Sequence, residues 1–209
     1  MSRALTTEAY EAIVDDLAYR YHGTIDQEAV AEAVARAREQ LEPLSTVPDF
    51  LPILVERFAR DQLLAAAQAQ GRVARATPEL LFVCVHNSGR SVMAAALARH
   101  LSAGRVHVRS AGSAPTGQIQ PVAIEVLAER GVVVEGEFPK PLTGDVVHAA
   151  DVIVTMGCGD SCPYVPGRRY LDWDVADPDG QPLPVVRAIR DDIQARVTAL
   201  LAEVLDDHR

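Results

Sequence analysis

The sequence has few cysteines, few aromatic residues and no long apolar run. Three cysteines in 209 residues are too few for a disulfide framework, so we interpret them as reactive or redox-active thiols. No apolar stretch approaches the roughly 20 residues of a membrane-spanning helix, and the N-terminal stretch lacks the apolar centre of a signal peptide. We therefore expect a cytoplasmic protein that does not act at a membrane.

Basic residues are also scarce. The 20 Lys and Arg are outnumbered by 29 Asp and Glu, giving a formal net charge of −9 at pH 7. Proteins that bind nucleic acid generally present a basic face, so we expect no nucleic-acid partner. Hydrophobic residues reach 48% although aromatic residues are only 5%, which indicates a globular protein with a mainly aliphatic core.

The first part of the sequence predicts three amphipathic helices. One begins at Thr6 or Thr7, a second follows the capping residue Asp26, and a third begins at Pro48, because these residue types favour helix starts. Short connections between the helices favour a small three-helix bundle. We predict that this bundle occupies residues 1–75.

The remaining sequence, predicted as a second domain at residues 79–209, alternates strands with helices. The predicted strands are LLFVCV at 80–85, RVHVRSAG at 105–112, DVIVTMG at 151–157 and RRYLDWD at 168–174. Such alternation predicts an α/β fold in which a four-stranded parallel sheet is flanked by helices.

The first strand runs into a cysteine that is separated from an arginine by five residues. In an open parallel sheet, ligands bind beyond the carboxyl ends of the strands, where Cys84 ends one strand and Arg90 begins a helix. Backbone N–H groups there can bind an oxyanion and favour a thiolate, and the arginine can hold two oxygens of a tetrahedral anion. Ser91 can donate to the sulfur, and Asn87 tolerates unusual backbone angles. The predicted oxyanion-binding loop comprises Val85, His86, Asn87, Ser88, Gly89, Arg90 and Ser91. The alternative, a buried cysteine beside a helix-capping arginine, stays open at this point.

The motif VCVHNSGRS at 83–91 resembles the signature loop of the low-molecular-weight protein tyrosine phosphatase fold. The SAG at 110–112 also occurs after the second strand in that superfamily. Further on, VTMGCGDSCP and DWDVADPDG are similar to arsenate reductases built on the same fold. The resemblance covers about residues 80–206, and the helical first part resembles an extension found on actinobacterial-type reductases.

Two further cysteines, Cys158 and Cys162, follow the third predicted strand. The resemblance implies that they serve a reduction, since displacement of an oxyanion needs no additional thiol. One thiol would attack the Cys84–arsenic adduct, and the other would take over the resulting disulfide by exchange. The alternatives are a zinc half-site or two structural thiols, but a zinc site needs four ligands at recognisable spacing, and we expect no metal.

An aspartate before a proline, Asp177, acts as general acid in the family that the sequence resembles, where it protonates the departing oxygen. Asp-Pro is also a common turn, and Asp172 and Asp174 compete for the role of the acid.

Departures from the phosphatase pattern favour the reductase, because Gly89 stands where phosphatases of this fold often have a second cysteine. A potassium site used by some reductases is not expected, because Ala95 replaces its glutamate.

The resemblance implies an arsenate reductase with catalytic residues Cys84, Arg90, Asp177, Cys158 and Cys162 and no bound cofactor. Its partners would be arsenate or a phosphate-like oxyanion and an external reductant, either thioredoxin or mycothiol with a mycoredoxin. A low-molecular-weight protein tyrosine phosphatase is the alternative enzyme, and it would need neither Cys158 nor Cys162. A thiol sensor that uses the helical bundle for docking is the non-enzymatic alternative.

Overall fold

The structure is a computed structural model that describes residues 2–45, 48–134, 136–158 and 162–206, with side chains from residue 7 onward. The chain divides into two units after Ala74, and each unit has its own buried apolar residues.

The described part of the first unit contains three α-helices. They are α1 (Ser2–Arg20), α2 (Gln27–Leu41) and α3 (Leu51–Ala69), with short 3-10 turns at Glu42–Leu44 and Pro48–Phe50. Each helix contacts the other two. The predicted start of the first helix at Thr6 or Thr7 was wrong, since α1 already begins at Ser2.

The helices of the first unit bury the residues that repeat at helical spacing. Leu17, Val30, Val34, Phe58 and Leu63 are all almost completely buried. Asp26 precedes α2 with an extended backbone, as an N-cap residue should, although its side chain forms no capping hydrogen bond. The buried apolar faces of α2 and α3, rather than their caps, therefore determine how these two helices pack.

The second unit is built on a four-stranded sheet in the order β2-β1-β3-β4. The strands are β1 (Glu79–Cys84), β2 (His107–Gly112), β3 (Val152–Met156) and β4 (Arg169–Asp172). Every neighbouring pair is parallel. The predicted α/β architecture is confirmed.

Helices flank this sheet. They are α4 (Arg90–Ser102), α5 (Pro121–Ala128), α6 (Gly144–Ala149) and α7 (Leu183–Asp206). Helix α4 contacts β1, β2, α5 and α7, whereas α6 contacts β1. Alternate residues of β1, including Leu80 and Phe82, share one core with Met93, Leu97 and Ile193. Within the described residues, none of the helices is long and apolar enough to cross a membrane.

A buried ion pair ties the first two strands together at their amino ends. Glu79 and Arg109 are 2% and 3% exposed, and the Arg109 guanidinium donates to the Glu79 carboxylate. His107 Nδ1 lies 2.7 Å from Glu79 Oε2. Because a charge buried without its partner is strongly unfavourable, these residues fix the register of β1 against β2.

Replacing Glu79 by alanine should leave the Arg109 charge buried without its carboxylate. We expect the free energy of unfolding to fall by about 3–5 kcal/mol. Urea denaturation followed by fluorescence of Trp173, the single tryptophan, reports on the second unit. The control is Glu203→Ala, which removes a half-exposed pair with Arg169 and should lose less than about 1 kcal/mol. Equal losses in the two variants would contradict this account.

Candidate active site

The candidate site lies at the carboxyl end of β1, between the two strands that flank it. Cys84 is the last residue of β1, and it pairs with Gly112 on β2 and with Met156 on β3. The next residues form a loop that ends where α4 begins at Arg90. The Cys84 side chain is 2% exposed, so its sulfur lies at the bottom of this loop.

Backbone hydrogen bonds hold the loop from its outer side. They run from the N–H groups of Ser113, Ala114, Thr116 and Gln120 to the carbonyl oxygens of Cys84, Val85, His86 and Ser88 over 2.9–3.3 Å. In a planar peptide the N–H points opposite to the carbonyl, so the loop amides face away from these contacts. The N–H of Asn87 donates to Cys84 Sγ at 3.3 Å, so this amide faces the sulfur on the inner side of the loop.

A chain of side-chain hydrogen bonds leads to the sulfur. Asn87, in the left-handed region with φ +51°, accepts from Lys140 N at 2.8 Å and donates from Nδ2 to Ser91 Oγ at 2.8 Å. Ser91 Oγ is 3.0 Å from Cys84 Sγ. Since this oxygen already accepts from Asn87, its own proton is available to the sulfur. The Cys84 sulfur can therefore accept hydrogen bonds from both the Ser91 hydroxyl and the Asn87 N–H.

Arg90 joins the loop to two other segments. Its Nη2 donates to Asp177 Oδ2 at 2.7 Å, and Nη1 contacts the carbonyl oxygen of Val175 at 3.4 Å. The guanidinium also lies against Gly157, where a Cβ atom would come within 2.8 Å of Nη1. The arginine therefore touches both the segment of the predicted acid and the residue before Cys158.

Asp177 is the carboxylate that the structure brings to the loop. Its other oxygen, Oδ1, accepts from the N–H of Asp179 at 3.0 Å. The two competing aspartates contact other residues, because Asp172 accepts from Thr155 Oγ1 at 2.6 Å and Asp174 is contacted by Arg196 through its backbone carbonyl. Trp173 anchors this segment, since its buried ring lies 5.9 Å from the ring of Phe82.

Cys158 and Cys162 are close enough to form a hydrogen bond. Cys158 is buried and Cys162 is partly exposed. The hydrogen bond from the Cys162 thiol, assisted by backbone N–H groups, lowers the pKa of Cys158 to about 7 although burial opposes this shift. The same bond, together with burial, raises the pKa of Cys162. Within the described residues, no group of three or more His, Cys, Asp or Glu side chains could hold a metal.

Some residues of the site escaped the sequence interpretation. Gln120 and Pro178 cover the loop at Gly89, where a Cβ atom would lie 2.7 Å from Gln120 Oε1 and 2.8 Å from Pro178 Cγ. Lys140 contributes a backbone N–H to Asn87, so its side-chain type gave no signal. Gln120 precedes a proline at a helix start, but such a pattern predicts only the helix. By contrast, the predicted loop residue His86 is exposed.

The comparison with protein families defines the class of this fold and site. Residues 79–209 match the family described as low molecular weight phosphotyrosine protein phosphatase. Residues 11–67 match the protein-tyrosine-phosphatase-like N-terminal domain. The chain therefore belongs to the low molecular weight phosphotyrosine protein phosphatase family, as its sequence motifs indicated.

Individual relatives place the chain within this family. The solved structure of the thioredoxin-dependent arsenate reductase of Corynebacterium glutamicum has a TM-score of 0.87 and 40% identity, covering 96% of this chain and 98% of that chain. The glutaredoxin arsenate reductase of Synechocystis sp. is 35% identical over 129 residues, which are 60% of this chain and 98% of that protein. An arsenate reductase solved in a phosphate-binding state is 33% identical with a TM-score of 0.54, covering 61% of this chain and 99% of that chain. The resemblance to arsenate reductases is confirmed.

Replacing Gly157 by alanine should displace the Arg90 guanidinium. Gly157 has φ +75°, which costs a non-glycine residue about 1–2 kcal/mol, and its Cβ would overlap Nη1. Gly131→Ala is a matched control, because Gly131 has φ +70° and no atom within 4 Å of the added Cβ. We expect urea denaturation to show a similar loss of stability in the two variants. Only Gly157→Ala should also lower the turnover of arsenate, by about tenfold or more. Equal turnover in the two variants would contradict the placement of Arg90.

The pKa of Cys158 can be measured in the Cys84→Ser protein. Thiolate absorbance at 240 nm should rise with a midpoint near pH 7, because a lowered pKa keeps the thiolate above that pH and loses it below. In Cys84→Ser/Cys162→Ala the hydrogen-bond donor is gone, so the midpoint should move up towards the ordinary thiol value. Cys84→Ser/Cys162→Ser retains a hydroxyl donor and should restore part of the shift. One midpoint common to all three proteins would refute the role of Cys162.

Proposed function

We propose that this protein is an arsenate reductase that converts arsenate to arsenite through a relay of three thiols. The observation that carries the proposal is the hydrogen-bonded pair Cys158 and Cys162, which follows β3 two residues beyond Met156, the β3 partner of Cys84. Arsenate reduction needs two electrons, and a pair of thiols supplies them by becoming a disulfide. The similarity to the C. glutamicum reductase extends over nearly the whole chain and supports the same conclusion.

The first step is nucleophilic substitution at arsenic. The Cys84 thiolate attacks arsenate held by the loop amides and by Arg90, and a sulfur–arsenic bond forms as an arsenic–oxygen bond breaks. Hydroxide is a poor leaving group, so Asp177 donates a proton and the oxygen departs as water. The Asp177 carboxylate accepts a hydrogen bond from Arg90, and this nearness to the arginine that would hold the oxyanion supports its role as the acid once it is protonated.

The second step transfers two electrons to arsenic. The Cys158 thiolate attacks Cys84 Sγ, a disulfide forms between the two cysteines, and the electrons of the sulfur–arsenic bond remain on arsenic, which leaves as arsenite. Cys158 suits this attack because its pKa of about 7 makes about half of it thiolate at neutral pH. The Gly157 backbone lies against Arg90, so the second thiol follows a residue that already contacts the oxyanion site.

The third step moves the disulfide towards the surface. Cys162 attacks Cys158 Sγ, Cys84 leaves as a thiolate, and a Cys158–Cys162 disulfide remains for an external reductant. The hydrogen bond to the Cys158 thiolate raises the pKa of Cys162 in the resting protein. That cause disappears once the Cys158 sulfur is part of a disulfide. Cys158 therefore attacks first, as the thiol with the lowered pKa, and Cys162 attacks second, after its own pKa is no longer raised by the Cys158 thiolate.

Thioredoxin is the reductant that we propose. Its use in the C. glutamicum reductase, which shares both parts of this chain, supports it, and a disulfide with one partly exposed cysteine is a suitable substrate for a protein dithiol. Mycothiol with a mycoredoxin is the alternative, in which a small thiol replaces Cys158 in attacking the adduct. The mycothiol pathway would make Cys158 and Cys162 dispensable.

A phosphatase acting on phosphomonoesters is the second candidate function. The family match and the completeness of Cys84, Arg90 and Asp177 as a site for covalent phosphoryl transfer favour it. It gives no role to Cys158 and Cys162, and for that reason it ranks second.

The three-thiol relay predicts how arsenate-dependent NADPH oxidation by thioredoxin and thioredoxin reductase responds to single substitutions. Cys84→Ser, Cys158→Ser and Cys162→Ser should each reduce steady-state turnover by about 1,000-fold or more, because each removes one covalent step. Hydrolysis of an aryl phosphate should be lost only in Cys84→Ser. Undiminished arsenate turnover in Cys158→Ser or Cys162→Ser would eliminate the relay. Aryl phosphate hydrolysis without arsenate turnover in the unaltered protein would instead support the phosphatase.

A further inference from the structure

An exposed tyrosine stands two residues after the outer thiol. Tyr164 is 75% exposed although it belongs to the same segment as Cys162, and the prolines on either side, Pro163 and Pro166, are exposed as well. Tyrosine joins a large apolar ring to a polar hydroxyl, and this combination is enriched at protein interfaces.

The tyrosine is held in this exposed position by its neighbours. The ring of Tyr164 lies 5.4 Å from the ring of Tyr170, at an angle of 31°. The Tyr170 hydroxyl accepts from Val165 N at 3.0 Å and donates to the carbonyl oxygen of Pro163 at 2.8 Å. The residues on both sides of Tyr164 are therefore fixed through one hydroxyl group. A side chain ordered before binding loses little conformational entropy when a partner covers it.

We propose that Tyr164, with Pro163 and Pro166, forms the docking surface for the protein dithiol that reduces the Cys158–Cys162 disulfide. The inference rests on the proposed function, since it names the surface that receives the reductant of that same site. A protein reductant must bring its attacking thiolate to a disulfide sulfur, so the residues around Cys162 enter its interface. An ordered aromatic at the centre of an interface is the residue type that contributes most to binding.

The charges near this surface favour an apolar contact over electrostatic attraction. Arg169 pairs with Glu203, and Arg168 shares Asp151 with Arg75, so both cations that follow the segment already have a carboxylate partner within the chain. A small thiol such as dithiothreitol needs no such surface, because it reaches a disulfide without burying protein area. Protein and small-molecule reductants should therefore respond differently to the loss of Tyr164.

The test uses the full chain with Cys84→Ser, in which Cys158 and Cys162 are the remaining cysteines. Mild oxidation should give their disulfide, and its reduction by thioredoxin and by dithiothreitol is followed at several reductant concentrations. Tyr164→Ala should lower kcat/KM for thioredoxin about fivefold or more, mainly through KM, while the rate with dithiothreitol changes less than twofold. Tyr164→Phe keeps the ring and should restore the rate. Tyr19→Ala is the matched control, because Tyr19 is 86% exposed on α1, and it should leave both rates unchanged.

An equal loss with both reductants would overturn the proposal, since Tyr164 would then act by shaping the thiol segment. Unchanged kinetics with thioredoxin, or failure of the two thiols to form a disulfide, would also overturn it. The assay needs no arsenate, so a protein that fails to reduce arsenate can still support the docking surface. In the protein with all three cysteines, arsenate-dependent NADPH oxidation by thioredoxin that Tyr164→Ala leaves unchanged would keep the proposed function and reject the surface.

Discussion

The parallel pairing of β1 with β2 and β3, which ends at Cys84 on both sides, is the constraint on which the rest of the site depends. Because Cys84 is aligned with Gly112 and with Met156, the segments that leave the neighbouring strands must pass beside the cysteine loop. The segment after β2 supplies the backbone donors that hold the loop from outside. The segment after β3 supplies Gly157 and the second thiol. The buried Glu79–Arg109 pair at the opposite end of the strands maintains the same register.

Arg90 joins the cysteine loop to two other segments of the site. Its guanidinium contacts the acid segment through Asp177 and Val175 and the thiol segment through Gly157. Close approach at Gly157 is possible because the glycine has no side chain and takes a positive φ. The arginine proposed to bind the oxyanion thus contacts both the proposed acid, Asp177, and the residue before Cys158. In the proposed relay, catalysis would depend on that shared position as well as on the reactivity of each thiol.

Much of the fold could be predicted from the sequence, because strand-helix alternation has few three-dimensional solutions. The cysteine loop could also be predicted from the sequence, because Cys84 and Arg90 lie on either side of one strand-to-helix turn. Contacts made by backbone atoms could not be predicted, and Lys140 N and the amides of Ser113 and Ala114 are examples. The start of α1 was missed because threonine is tolerated inside a helix as well as at its cap. The contact of Gln120 with Gly89 depends on tertiary packing, for which the sequence gives no local signal.

The central claim is that Cys158 attacks the Cys84–arsenic adduct, and trapping its product tests this claim most directly. In Cys162→Ser the relay should stop after the second step, and the serine hydroxyl keeps a donor near Cys158. The fully reduced variant is exposed once to arsenate, quenched with an alkylating agent, digested and analysed by mass spectrometry, with phosphate in place of arsenate as the control. We predict one Cys84–Cys158 disulfide per arsenite released, and none with phosphate. Arsenite release without that disulfide, or the same disulfide yield with phosphate, would contradict the account.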